Sequence, residues 1–422
     1  MIYHRSFAIA LLCLSAGVLG AEPSWTDFRG PQRNGHADPA AKPPIKWSDS
    51  EGFKWKTPIA GSGYSSPIIR DGRIWLTSAL GNGASLHAVC VDLASGKILH
   101  DVEVFKTSNP GPKHNHNSFA SPSPAVDDER VYVSFGTHGV AALDVKTAKP
   151  IWTNRDFSLD FLTGAGSTPI LYNDLLIIEC DAVNSQYVIA LDKKTGKQAW
   201  KTARSKQFPE TNPNKRRAFS TAIVETVAGR DVLLSIGAQR AYGYDPVTGR
   251  ELFFVDHPGY SNVCRPLVSG GLLILSSCYD RSEMLAVKLP AELKDGDKPI
   301  DLGKQIAWNG KVGIPYKPSV LQVNDRLYMV ADTGVARCVD PKTGDVLWTK
   351  RLGQAYSASP LYAGGHIYFL SEKGDVHVIK PTAGTEPEVV SEFKTEDGFM
   401  ASPAVAGNAL ILRSTGSLYR VE

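Results

Sequence analysis

The stretch Val188-Ile-Ala-Leu-Asp-Lys-Lys-Thr-Gly-Lys-Gln-Ala-Trp200 decides how this chain folds. It predicts an aliphatic strand that ends at Asp192, a tight turn at Thr195-Gly196, and a second strand that ends on Trp200. Glycine adopts the positive φ that such a turn requires, and Asp and Thr side chains bind the backbone amides of the turn. A single hairpin cannot bury an indole, so the stretch predicts neighbours of the same kind.

Four further segments repeat this pattern with the same internal spacing. In all five, an Asp ends the first strand and a ring-bearing residue stands eight positions later. The pairs are Asp92 and His100, Asp144 and Trp152, Asp192 and Trp200, Asp245 and Phe253, and Asp340 and Trp348. The turn residue is glycine in four segments and alanine in the second, namely Gly96, Ala148, Gly196, Gly249 and Gly344. Fixed spacing that recurs along a chain predicts an array of supersecondary units.

A second landmark marks the start of each unit. It is a small or polar residue, usually followed by proline and then by aliphatic residues, and it begins at Ser66, Ser123, Thr168, Thr221, Arg265, Lys317, Ser359 and Ser402. The distance between successive landmarks fits four short strands with their loops, which is the blade of a β-propeller. The sequence therefore predicts an all-β fold of four-stranded antiparallel blades.

The two ends of the chain are predicted to complete one blade together. Residues 417–422 form only a third strand, and residues 53–57, which carry Trp55, are the remaining tryptophan-bearing strand. Pairing the two removes an open sheet edge and makes eight blades. The fifth and seventh blades depart further from the repeat than the second: Lys288 replaces the Asp of the fifth, before an insert at residues 290–301, and the seventh has Lys380 for Asp and no Trp. We expect looser packing there but no lost blade.

Composition and the N-terminus restrict the class of partner. The chain has 422 residues and a formal net charge of +3, a balance that argues against nucleic acid. Arg5 precedes an apolar run, residues 7–14, that is too short to span a bilayer. Residues 1–20 are predicted to be a bacterial secretory signal peptide, which implies a periplasmic or secreted protein without a membrane span. Residues 21–47 are predicted to be an irregular leader that docks by aromatic side chains, and residues 48–422 to be the propeller.

The cysteine pattern leaves one disulfide open. Cys264 and Cys278 flank the turn Ser269-Gly270-Gly271 almost symmetrically, so we predict that they face each other across a hairpin. An oxidising compartment permits a bond between them, and two buried thiols are the alternative. No Cys-x-x-Cys pair indicates a zinc site.

Two long loops are predicted to meet over the central channel. Propeller topology places loops from outer to inner strands on one face, and the long ones are residues 101–120 and 201–219. With the entries to two inner strands, they predict a ligand-binding funnel lined by His114, His116, Asn117, Arg216, Arg217, Arg265 and Lys317. Four of these side chains are cationic and few acids lie near them in the sequence, so the predicted ligand is anionic.

No metal site is predicted at the histidine pair. Imidazoles bind metals, but alternate residues of an extended strand point to opposite sides. Aromatic residues such as Tyr64, Phe219 and Tyr260 precede the inner strands, and they are predicted mainly to pack between blades.

The repeated segments resemble the tryptophan-docking motif, Ala-x-Asp-x-x-Thr-Gly-x-x-x-Trp, of the pyrroloquinoline-quinone (PQQ)-like propellers. That superfamily includes quinoprotein alcohol dehydrogenases and the outer-membrane assembly factor BamB, and the resemblance covers nearly the whole chain after the predicted signal peptide. The leader Phe28-Arg-Gly-Pro-Gln-Arg-Asn-Gly35 resembles the start of many secreted PQQ-like repeat proteins. These motifs are specific for fold and leave function open.

The resemblance implies two functions. Quinoprotein dehydrogenases hold the quinone against a disulfide of adjacent cysteines and use carboxylates for calcium and base catalysis. This chain is much shorter and has no adjacent cysteines, and no base is aligned with the acidic pair Glu179 and Asp181. We therefore predict no catalytic residue, no metal and no cofactor. The predicted protein is an exported, monomeric binding or scaffold protein for an anionic small molecule, a saccharide, or a periplasmic or outer-membrane protein; a PQQ- and calcium-dependent oxidoreductase is the alternative.

Overall fold

A computed structural model describes residues 24–48, 50–208, 212–296 and 298–422, and the predicted signal peptide lies outside them. The described residues form an eight-bladed all-β propeller, as predicted. Helix within these ranges is limited to the short 3-10 segments Gly81–Gly83, Gly136–His138, Pro213–Arg216 and Gly303–Gln305.

Each blade runs from an inner strand at the channel to an outer strand at the perimeter. Blade 1 is Ile68–Arg70, Arg73–Leu80, Ser85–Asp92 and Ile98–Lys106; blade 2 is Ala125–Val126, Arg130–Ser134, Val140–Asp144 and Pro150–Asn154. Blade 3 is Ile170–Tyr172, Leu175–Asp181, Gln186–Asp192 and Gln198–Ala203; blade 4 is Ile223–Val227, Arg230–Ile236, Arg240–Tyr244 and Glu251–Asp256.

The second half of the ring continues in the same order. Blade 5 is Leu267–Ser269, Leu272–Ser277, Glu283–Lys288 and Ile306–Gly310; blade 6 is Leu321–Val323, Arg326–Val330, Val335–Val339 and Val346–Arg351. Blade 7 is Leu361–Ala363, His366–Leu370, Asp375–Lys380 and Glu388–Lys394; blade 8 is Ala404–Ala406, Ala409–Arg413, Ser417–Val421 and, from the other end of the chain, Phe53–Pro58.

Closure of the ring follows the prediction. Phe53–Pro58 pairs antiparallel with Ser417–Val421, with Phe53 opposite Val421 and Pro58 opposite Ser417. Phe53–Pro58 alternates between half-buried and exposed residues, as an outer strand does, whereas Ala409–Arg413 next to the inner strand is buried throughout. Middle strands are packed on both faces by adjacent blades, which is why they consist of almost continuous apolar residues.

The repeated turns join neighbouring blades. In each of the five turns the Asp accepts a hydrogen bond from the backbone N–H three residues later, at 2.7–3.2 Å. Four indole N–H groups donate to a carbonyl in the turn of the next blade at 2.9–3.2 Å, namely Trp55 to Leu93, Trp152 to Lys193, Trp200 to Pro246 and Trp308 to Pro341. Each of these four tryptophans therefore links its own blade to the following one.

The turn glycine and the docked indole fit each other. A Cβ on Gly196, whose φ is +71°, would lie 2.5 Å from Trp152, and one on Gly249 would lie 2.4 Å from Trp200. Ala148 occupies the same position at a φ of +56°, and the ring that reaches its turn is the smaller imidazole of His100. A smaller docked ring thus accompanies the alanine.

We expect Gly196→Ala to destabilise the fold by roughly 2–5 kcal/mol. About 1–2 kcal/mol comes from alanine at positive φ, and about 1–3 kcal/mol from displacement of Trp152. The matched control is Gly229→Ala. Gly229 has a φ of +76° and no atom within 4 Å of the added Cβ, so this variant has only the cost of alanine at positive φ. Chemical denaturation of both variants measures the difference, and equal losses of stability would contradict the docking role.

The irregular blades are intact, as predicted. Blade 7 retains four strands although it lacks the Asp and the tryptophan. The insert before Trp308 contains Ile300–Asp301, which pairs in parallel with Glu251–Asp256 and adds a fifth strand to the outer edge of blade 4. The insert thus covers the outer edge of a neighbouring blade, and blade 5 keeps its four strands.

Residues 24–47 lie across the central channel. Trp25 exchanges two backbone hydrogen bonds of 2.8 Å with Ile69 of the inner strand of blade 1. Arg29 is buried and donates to the carbonyl of Pro360, at the inner strand of blade 7, at 2.9 Å. The leader is irregular, as predicted, but it is held by backbone and charged contacts as well as by aromatic residues.

Candidate functional site

A central cavity of about 540 Å³ is formed by the starts of the inner strands and by the loops that lead to them. Phe28 of the leader also contributes to its lining, from deeper in the channel, and we call this residue the floor. Of the seven predicted funnel residues, five line the cavity: His114, His116, Asn117, Arg217 and Lys317. Both predicted loops therefore reach the cavity, but most of its lining comes from the starts of the inner strands and from other loops.

A ring of hydroxyl groups surrounds the cavity just above the floor. Seven of the eight residues that enter the inner strands carry a hydroxyl, namely Ser66, Ser123, Thr168, Thr221, Ser319, Ser359 and Ser402. Each of these hydroxyls accepts the backbone N–H of the corresponding residue in the neighbouring blade at 2.8–3.1 Å. A hydroxyl that accepts one hydrogen bond still has its own hydrogen to donate, so the ring offers donors to a ligand.

The hydroxyl ring corrects the predicted register of blade 6. The sequence pattern places Lys317 at the start of this inner strand, but Ser319 makes the ring contacts there, two residues later. Lys317 consequently belongs to the loop above, where its ammonium group reaches the cavity wall.

Arg265 occupies the eighth position of the ring and turns away from the cavity. Its guanidinium pairs with the Asp27 carboxylate and donates to the carbonyl of Ala222 at 2.9 Å. It also lies 5.1 Å from the centre of the Phe28 ring. The placement of Arg265 in the funnel is therefore wrong: the residue fastens the leader, and Asp27 neutralises its charge.

The side chains of Arg216 and Arg217 occupy different environments because adjacent residues of the chain point in different directions. Arg216 is half-buried at the end of the 3-10 segment Pro213–Arg216 and lies outside the cavity lining. Arg217 is buried in the wall, where it donates to the Phe161 carbonyl at 2.8 Å and to Thr163 Oγ1 at 2.9 Å. Burial lowers the pKa of Arg217 below its ordinary value. In the part of the chain that the structure describes, no carboxylate oxygen lies within 4.0 Å of this guanidinium.

Lys317 is neutralised by two acids that the sequence analysis missed. Its ammonium nitrogen lies 2.9 Å from Glu372 Oε1 and 3.5 Å from Asp332 Oδ1, and Ser357 donates to the same Glu372 oxygen. Burial opposes the charged form of Lys317, but the hydrogen bond to Glu372 and both carboxylate charges outweigh it and raise the pKa of Lys317 above its ordinary value. Lys317 is thus a weaker anion site than the sequence suggests.

The missed residues share one repeat position. Asp332 and Glu372 each stand two residues after the second strand of their blade, and Tyr279 holds the same position in blade 5. Tyr279 lines the cavity and the two acids contact Lys317, so a comparison of the second-to-third-strand turns along the sequence could have identified all three. The loop of residues 155–169, which supplies Thr163, was also missed.

The histidine pair does not point to opposite sides. The rings of His114 and His116 stack with centroids 5.6 Å apart, because the backbone turns here, with Asn117 N–H donating to the His114 carbonyl at 2.9 Å. Asn117 fastens the loop by donating to the Thr163 carbonyl at 2.8 Å. Among the described residues, no three His, Cys, Asp or Glu side chains are grouped so as to hold a metal ion.

Cys264 and Cys278 are neighbours but are not bonded to each other. Both are buried free thiols, and their side chains lie close together. Cys264 Sγ donates to the carbonyls of Pro315 and Pro318 at 3.3 and 3.2 Å, and Cys278 Sγ donates to that of Tyr316 at 3.2 Å. The second alternative, two buried thiols, is therefore the one in the structure, and backbone carbonyls accept hydrogen bonds from both of them.

The fold and the site together define a closed eight-bladed propeller with tryptophan-docking turns and a central funnel. The family model described as outer membrane protein assembly factor BamB matches residues 45–171, 184–298 and 300–398, and the chain belongs to this family. Within the described ranges, no helix has both the length and the apolar character needed to cross a membrane.

Individual relatives are more distant. Quinoprotein ethanol dehydrogenase of Pseudomonas aeruginosa is 27% identical over 206 residues, which cover 46% of this chain and 30% of that enzyme. BamB from Moraxella catarrhalis has a TM-score of 0.58 at 15% identity, over 83% of this chain and 99% of that one. Quinohemoprotein alcohol dehydrogenase from Comamonas testosteroni has a TM-score of 0.63 at 12% identity, over 94% and 80%. At these identities the solved structures establish the fold alone.

Proposed function

We propose that this chain is an exported, non-catalytic binding protein whose funnel takes an anionic ligand. The observation that carries the proposal is Arg217, a buried cation in the wall of the cavity that is held by two neutral oxygens. Among the described residues no carboxylate oxygen lies within 4.0 Å of it, and the Asp160 carboxylate acts on its charge only from a longer distance. A buried guanidinium is stabilised when a planar anion completes its hydrogen bonds. The ligand is a small carboxylate or acidic saccharide, or an acidic group on a periplasmic or outer-membrane protein.

The alternative, a quinoprotein oxidoreductase, fits these residues poorly. The quinoprotein dehydrogenases that the repeats resemble use carboxylates for calcium, an ion that prefers several carboxylate oxygens. Glu372 does not line the cavity and is already bound by Lys317 and Ser357. Glu179 and Asp181 are buried with Arg204 and do not line the cavity. The enzyme would be favoured if protein incubated with PQQ and calcium kept a quinone absorption band after dialysis against buffer and then oxidised alcohols in a dye-linked assay.

Replacing Arg217 tests the proposal. We expect Arg217→Gln to weaken binding of a carboxylate ligand by roughly 10- to 100-fold, because a charge-assisted hydrogen bond contributes about 1.5–3 kcal/mol. The probes are succinate, citrate, D-glucuronate and D-galacturonate, measured by isothermal titration calorimetry at two salt concentrations. Affinity for the bound probes should fall as salt rises.

The neighbouring arginine provides the matched control. Arg216→Gln removes the same charge from the same loop, outside the cavity lining, and is expected to change affinity by less than about twofold. Thermal unfolding of each variant confirms that binding is compared between folded proteins. The proposal fails if no anionic probe binds, or if both variants bind like the parent.

A further inference from the structure

An aromatic surface stands open beside the anion site. The Tyr279 ring lies 6.0 Å from that of Tyr260 and 5.2 Å from that of Tyr316, centre to centre. Tyr279 is nevertheless 44% exposed, and Tyr260 and Tyr279 both line the cavity. A clustered apolar surface that remains open within a concave site is typical of ligand-binding positions.

The backbone places this surface next to Arg217. Ser261, which follows Tyr260, donates its N–H to the Arg217 carbonyl at 2.7 Å. Ser261 has a φ of +51°, a left-handed conformation that serine seldom adopts, so Tyr260 is held at the wall by a strained connection. The backbone of Tyr260 therefore adjoins that of Arg217 in the wall of the cavity.

The rest of the cavity is suited to a ligand rich in hydroxyl groups. The hydroxyl ring offers donors from Ser319, Ser359 and Ser402 on one side and from Thr168 and Thr221 on the other. Below these hydroxyls lies the apolar ring of Phe28. The volume of about 540 Å³ is that of a small-molecule site, since such sites span roughly 300–1,000 Å³.

We propose that the ligand of the funnel is a hexuronic acid, free or at the end of a short saccharide. Its carboxylate pairs with Arg217, the C–H face of its pyranose ring packs on Tyr279 and Tyr260, and its hydroxyls meet the hydroxyl ring. The guanidinium, the two tyrosine rings and the hydroxyl ring then each have one partner on the sugar. This inference rests on the proposed function, because the carboxylate is the group that Arg217 binds.

The test separates the sugar ring from the charge. D-Galacturonate and D-glucuronate are titrated into the protein by calorimetry, beside D-galactose as the neutral sugar and glutarate as the acid without a ring. We expect one or both hexuronates to bind at least roughly tenfold more tightly than either comparison compound. Tyr279→Ala should weaken hexuronate binding roughly five- to tenfold and glutarate binding by less than about twofold.

Tyr279→Phe is the control that keeps the ring, and it should bind hexuronate like the parent. Because Tyr279 is exposed, neither substitution removes a core contact, and thermal unfolding checks this. If glutarate binds as tightly as hexuronate and Tyr279→Ala weakens neither, the sugar assignment is overturned while the anion site stands. If hexuronate binds equally well to Arg217→Gln, or if no probe binds, the proposed function falls with it.

Discussion

A chain that begins at Ile59 is expected to yield no soluble folded monomer. It lacks Phe53–Pro58, so Ser417–Val421 becomes an open edge that pairs with other molecules. It also loses the docked indole of Trp55 and the buried leader residue Trp25. The combined loss exceeds about 5 kcal/mol, which is comparable with the whole stability of many domains. Size-exclusion chromatography and circular dichroism after refolding measure the outcome.

Two controls show that the missing strand is responsible. A synthetic peptide of residues 48–60, added during refolding, should restore part of the monomer by completing blade 8. A chain that begins at Lys46 keeps the strand without most of the leader, and it should remain folded with a lower melting temperature. A monomeric chain from Ile59 with the parent's melting temperature would contradict the closure.

Arg204→Met is expected to destabilise the protein by about 3–5 kcal/mol, the usual effect of breaking a buried ion pair. Arg204 is buried between blades 3 and 4, where it contacts Asp181 at 2.6 and 2.9 Å and Glu179 at 3.2 Å. It also lies over the rings of Tyr242 and Tyr244 at 4.8 and 5.8 Å. Methionine fills the space but leaves both acids in an apolar surrounding. Urea denaturation at neutral pH measures the loss.

The acid cluster also predicts a pH dependence. Burial raises the pKa of Glu179 from 4.5 to about 7; the charge of Arg204 opposes the shift and that of Asp181 adds to it. Between these values the folded protein holds a proton that the unfolded chain has lost. The contribution of Glu179 to stability is therefore complete below about pH 4.5 and is lost as the pH rises through about 7.

A comparison with Glu179→Gln isolates this contribution. Unfolding free energies are measured for the parent and the variant at pH 5 and pH 7.5. From pH 5 to pH 7.5 the unfolding free energy of the parent should fall by roughly 1–3 kcal/mol more than that of the variant. Adding Glu179→Gln and Asp181→Asn to Arg204→Met should recover part of the stability, because neutral amides replace unpaired buried acids. If the parent and Glu179→Gln differ equally at both pH values, Glu179 does not titrate as described.

What repeats along the chain could be predicted from the sequence alone. The spacing from Asp192 to Trp200, its recurrence, and the lone tryptophan strand around Trp55 sufficed for eight blades, for the docked indoles and for the joining of both chain ends. The reason is that a blade contacts mainly itself and its two neighbours, so short-range spacing carries the information. The long loops and the side chains of Arg217 and His114 at the funnel follow from the same topology.

Contacts between distant, non-repeated positions were decided by the tertiary structure. Lys317 is neutralised by Glu372, 55 residues away, and Arg265 by Asp27, 238 residues away. Whether a cationic side chain binds a ligand or an internal carboxylate depends on differences of a few ångströms across the channel. The spacing of the repeats does not determine these distances. For the same physical reason the open face of Tyr279 beside Arg217 became visible only when the ring was closed.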